Sequence, residues 1–96
     1  MNHYQGEELA RVMNLAAAAR RMIEQDRGLF RDEGTCVLGA GIAVYAVPPR
    51  CRKPKLTLLI DAPFQGNVGS AKASERALKW LQGQGVEAFW YDGTMD

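Results

Sequence analysis

Residues 56–91 read LTLLIDAPFQGNVGSAKASERALKWLQGQGVEAFWY, and their pattern decides the fold class. Leu56 to Ile60 form a continuous apolar run of the kind found in strands covered on both faces. Ser70 is placed to cap a helix over residues 71–82, in which Ala73, Ala77, Leu78 and Leu81 face inward and Gly83 or Gly85 stops the chain. Residues 86–91 return to strand-type side chains, and Asp92 with Gly93 supplies a turn. Strand, helix and strand in this order predict a βαβ unit with parallel strands and a right-handed connection.

On the N-terminal side, Gly39 and Gly41 permit a turn within residues 35–47, and Ile42 to Val47 suit either a second strand or a short helix, ended by Pro48 and Pro49. Further upstream, Leu9, Val12, Met13, Ala16, Ala19 and Ile23 recur at helical spacing between Glu7 and Gln25 and predict an amphipathic helix. The glycine-containing connection over residues 26–35 is expected to be pinned to the core by Leu29 and Phe30. The prediction is one α/β domain over residues 1–96, made of an N-terminal helix, a small mixed β-sheet and a C-terminal βαβ unit.

Composition narrows the function classes. Twelve basic and eleven acidic side chains leave a net charge of +1, so any nucleic-acid role must rest on a local patch and not on the whole-chain field. No apolar run reaches the roughly 20 residues that span a bilayer, so no membrane association is expected. Cys36 and Cys51 are too few for a disulfide framework, and the N-terminus does not resemble a signal peptide. A reducing, cytoplasmic setting is expected, with Cys36 as a small core residue.

Asp61 ends an apolar strand, at the position where α/β sheets bind ligands. A metal site there would be a weak one, with Glu7 or Glu8 as its other carboxylate and magnesium bridging phosphate oxygens. The amides of Gly69, Ser70, Ala71 and Lys72 sit where a helix start can hold an anion. GNVGSAKA nevertheless lacks the Gly-Lys-Ser/Thr ending of a nucleotide phosphate loop, and VLGAGIAVYA lacks the third glycine of a dinucleotide fingerprint. His3 is the sole histidine, which leaves neither thiol with a base and provides no zinc ligand set.

The stretch PPRCRKPK gathers Arg50, Arg52, Lys53 and Lys55, enough to touch a phosphate backbone, although a solvated connection is the simpler reading. In FWY, strand alternation sends Phe89 and Tyr91 to one face and Trp90 to the other.

Residues 37–93 resemble the second half of Toprim domains of the phage and plasmid primase type, in which a glycine-rich strand, a proline-containing connection and an apolar strand lead to Asp-x-Asp-x-x-Gly and an alanine-rich helix. Asp61 matches the first aspartate and Gly66 the glycine, while Ala71, Ala73, Leu78 and Leu81 follow the helix. Pro63 stands where the second aspartate belongs, and Gln5-Gly6 stands where a Glu-Gly pair belongs, with Glu7 as a shifted substitute. The resemblance therefore implies a Toprim-like domain without its metal cluster: a cofactor-free, non-catalytic module of a mobile element that binds a protein partner or nucleic acid. The alternatives are a magnesium-dependent phosphotransfer enzyme using Asp61, and a homo-oligomeric structural module burying Trp80 and Trp90 between copies.

Overall fold

A computed structural model describes residues 3–95. In chain order the elements are α1 (Gly6–Asp26), a 3-10 turn (Arg27–Leu29), β1 (Val37–Leu38), β2 (Gly41–Ala46), β3 (Lys55–Asp61), α2 (Asn67–Gly83), β4 (Phe89–Tyr91) and β5 (Thr94–Met95). Both helices lie on one side of a three-stranded sheet of order β3-β2-β4. The shortest dimension is 18 Å, enough for one sheet and one helical layer about 10 Å apart.

The helical period of α1 buries Val12, Ala16, Ala19 and Ile23. Met13, expected on that stripe, is 48% exposed, because it lies about 100° around the helix from Val12. α2 answers with Ala73, Ala77 and Leu81, and the two alanines let the helices meet closely over the sheet. Ile42, Val44 and Ala46 of β2 point into the same core, joined by Leu59 and Ile60 of β3.

The strand–helix–strand unit is split. β3 and β4 run in the same direction, but β2 lies between them and is antiparallel to both. The loop from β2 to β3 is short enough for a hairpin, so β3 takes one edge of β2, and β4 reaches the other edge after α2 has crossed the sheet. Among the described residues the expected mixed character is reduced to a single parallel bridge, between Tyr4 and Ala46. β3 is consequently an edge strand covered on one face, not on two, and Leu56 at its start is 36% exposed.

Tyr4 occupies the edge of β2 that β4 leaves open. Its N–H donates to the Tyr45 carbonyl at 3.0 Å, its carbonyl accepts from Val47 N–H at 2.8 Å, and its hydroxyl accepts from Glu87 N–H at 2.8 Å. Beyond Gly41, β1 and β5 continue the β2–β4 pairing in the same register after an interruption at residues 39–40 and 92–93.

Three local expectations are corrected by the connection ahead of β1. Leu29 is 78% exposed and Phe30 also lies at the surface, so apolar burial does not hold this segment. It is tied instead by polar contacts: Arg76 makes a two-pronged ion pair with Asp26 at 2.8 and 2.9 Å, which holds that carboxyl below the usual carboxylate range. Cys36 is exposed as well, because it meets Gly66 through an isolated backbone bridge at the periphery. Finally, α2 starts four residues earlier than expected, with Gly66 as its N-cap. Ser70 lies inside the first turn, where its hydroxyl accepts from Phe64 N–H at 3.1 Å and donates to the Phe64 carbonyl at 2.9 Å.

The start of α2 is stitched to residues 31–35. Asp32 Oδ1 accepts from Gly66 N–H at 2.6 Å, the Glu33 carbonyl accepts from Gly69 N–H at 3.0 Å, and the Thr35 carbonyl accepts from Asn67 N–H at 3.0 Å. A Cβ on Gly69 would strike the Arg31 carbonyl oxygen, and one on Gly66 would strike that of Glu33. Because the obstacle is backbone, Gly69→Ala should destabilise the protein by about 1–3 kcal/mol. Urea unfolding checks this, and an unchanged midpoint would show that the segment is not docked as described.

Candidate functional site

Asp61 lies at the carboxyl end of β3, exposed, opposite Gly41. It shares a cleft of about 310 Å³ with Pro63 and Ile60 and with Arg20, Ile23, Glu24 and Arg27 from the far end of α1. Two guanidinium groups therefore stand with the two carboxylates, and Arg20 also donates weakly to the Leu59 carbonyl at 3.5 Å. Arg27 stacks over Phe64, 5.5 Å from its ring centre.

Glu7 and Glu8 belong to the opposite end of α1, beside the Tyr4–Ala46 bridge. At about 1.5 Å per residue, Glu7 lies roughly 25 Å along the helix from Glu24, so neither it nor Glu8 joins Asp61. Among the described residues no group of three or more His, Cys, Asp or Glu side chains could hold a metal ion. Asp61 and Glu24 are the carboxylates lining this cleft, and the two guanidinium groups beside them disfavour a second cation there.

The expected anion site at the start of α2 is also corrected. Gly69 N–H is engaged by the Glu33 carbonyl and Ser70 N–H by the Gly66 carbonyl at 3.1 Å, while Lys72 faces Glu33 at 3.8 Å. Together with the Asp32 carboxylate, the chain's own residues supply the negative charge that this helix end favours. Ala71 is partly buried in the same turn.

The hairpin between β2 and β3 concentrates cations that have no ion pair among the described residues. Arg50, Arg52, Lys53 and Lys55 are all exposed, and among the described residues none of them has a carboxylate at ion-pairing distance. No Asp or Glu occurs anywhere in residues 34–60. Cys51 N–H donates to the Pro48 carbonyl at 3.0 Å, closing a turn with Pro49 and Arg50 at its two central positions. Arg50 has φ 70°, the left-handed value that a type II turn requires at its third residue and that glycine usually supplies. The apolar side of this turn, Val47, Pro48, Pro49 and Cys51, borders a groove against Leu9 and Met13 of α1.

A second surface adjoins the hairpin. Strand alternation places Tyr45, Leu56, Leu58, Phe89 and Tyr91 on the face of the sheet away from the helices, and Trp90 on the core side as expected. The Tyr45 and Phe89 rings lie 5.5 Å apart, and His3 meets Tyr45 edge-on at 6.5 Å. Phe89 and Tyr91 were legible as one-faced from the sequence. The alternation in GIAVYA sets Tyr45 opposite Ile42, Val44 and Ala46, but only the β2–β4 register brings it to Phe89.

Comparison with protein-family models, with curated proteins and with solved structures finds no match to this chain. Among the described residues no helix is long and apolar enough to cross a membrane. The positive charge of Arg20 and Arg27 in the cleft of Asp61 generates a prediction: millimolar magnesium should leave the amide NMR signals of Gly41, Asp61 and Ala62 in place. A saturable shift confined to those signals would establish a metal site and restore the phosphotransfer reading.

Proposed function

We propose that this protein is a non-catalytic binding module that engages nucleic acid through the β2–β3 hairpin. The observation that carries the reading is the concentration on one hairpin, within an acid-free stretch of the chain, of four exposed cations with no ion pair among the described residues. Phosphate contacts by Arg and Lys release condensed counterions, so a near-neutral protein can bind a polyanion if its positive charge is local. Pro49 fixes one torsion of the turn in advance, which lowers the entropy lost when the loop meets a ligand. On this reading the Toprim-like order of elements over residues 37–93 serves binding, without the metal chemistry of that family, and the setting of a mobile element remains part of the proposal.

Affinity for nucleic acid should fall with salt, with a log–log slope of about −3 to −4 if all four cations contact phosphate. Replacing Arg50, Arg52, Lys53 and Lys55 together by Ala should remove both the binding and the slope in an anisotropy titration. Binding that survives those four changes would sink the proposal.

Arg50 separates strain from function. A non-glycine residue in the left-handed region costs about 1–2 kcal/mol, so Arg50→Gly should stabilise the fold by about 1 kcal/mol after the added freedom of the unfolded chain is deducted. The same change should weaken nucleic-acid binding. A variant with a higher Tm and undiminished affinity would remove Arg50 from the interface.

A further inference from the structure

We infer that the helix-free face of the sheet stacks unpaired bases, so that the ligand of the hairpin is a single-stranded nucleic acid and not a duplex. This inference rests on the hairpin reading and assigns its substrate class.

The geometry begins with Ala43. It belongs to the helix-free face, yet it is fully buried, because Leu58 and Phe89 flank it across the strands and Tyr45 follows it along β2. Side chains that cover a small residue in this way lie over the sheet. Tyr45, Phe89 and Tyr91 thus form a row across β2 and β4, each partly exposed, with Tyr45 and Phe89 already in ring contact. Aromatic rings carried on a sheet are sequence-tolerant platforms for bases, since every base has a π-face, and a row of this length suits about two or three of them.

Charge sets which end of the row receives the backbone. Tyr45 pairs with Leu56, next to Lys55, so the basic hairpin begins where the row begins. Tyr91, beside Gly41, marks the other end of the row, away from the hairpin cations. A positive end joined to an uncharged aromatic surface is complementary to a strand that offers phosphates and exposed bases together. A duplex keeps its base faces stacked inside and presents phosphates, sugars and groove edges, so the aromatic row would find no base face to stack on.

The test compares a labelled single strand of about twelve nucleotides with its duplex by anisotropy, a length within the span that such sites cover. The single strand should bind at least about 10-fold more tightly, and Tyr45→Ala and Phe89→Ala should each weaken it by about 5- to 150-fold while leaving duplex affinity unchanged. A readout independent of variant folding uses the unaltered protein: photo-crosslinking to an iodouracil-substituted single strand should give adducts on Tyr45, Phe89 or Tyr91. Equal affinity for both forms, with adducts confined to the hairpin, would overturn the inference and leave the hairpin reading intact. Absence of any binding would remove both. Self-association abolished by Phe89→Ala, without loss of nucleic-acid binding, would make the face a protein interface and likewise overturn the inference.

Discussion

β2 is paired on both of its edges, and the rest of the molecule follows from how that strand is held. β3 runs along its full length on one side, while β4 and Tyr4 share the other. With both edges engaged the strand has no freedom to rotate, and its alternation divides the protein into a dry side and an open side. Ile42, Val44 and Ala46 anchor the helices, whereas Ala43 and Tyr45 belong to the opposite surface. A slip of one residue would exchange these sets, sending Tyr45 into the core and Val44 to water. Gly41 guards against such a slip at one end, because any Cβ there would strike the Ile60 carbonyl oxygen. Tyr4 guards the other end through its two backbone hydrogen bonds.

The start of α2 shows how a ligand-like sequence can be satisfied internally. A glycine-containing strand-to-helix junction suggests an anion site because free amides and the helix dipole converge there. Here the neighbouring chain arrives first. Its Asp32 carboxylate and its Glu33 and Thr35 carbonyls take up the amides of Gly66, Gly69 and Asn67, and the two glycines are needed for the closeness of that approach. The chemistry suspected for this segment is thus real, but its substrate is the protein itself.

What could be read in the sequence was what depends on local period. The buried faces of α1 and α2, the strand character of residues 56–60 and the opposed orientation of Phe89 and Trp90 all follow from spacing. What could not be read depends on who becomes whose neighbour. Nothing in the composition of β3 tells whether β4 or β2 lies beside it, so the βαβ unit, its strands parallel as expected, is split by β2. Ser70 looked like a cap because its type favours that position, but the true helix start was set by contacts with residues more than 30 positions away. Leu29 and Phe30 looked like anchors because they are apolar, yet ion pairing and backbone bonds hold that connection. The candidate binding surface divides along the same line. The hairpin cations were visible as a cluster, and the partnership of Tyr45 with Phe89 required the register.

The irregularity in the β2–β3 pairing, where Leu59 has no counterpart between Ile42 and Ala43, bears on the outer edge of the sheet. β3 is a long outer strand rich in Leu, the kind of edge on which copies of a protein can stack into fibres. The extra residue is a bulge that bends the strand locally, and Arg20 from α1 reaches the Leu59 carbonyl at the same place. A flat template for strand addition is therefore lost midway along the edge.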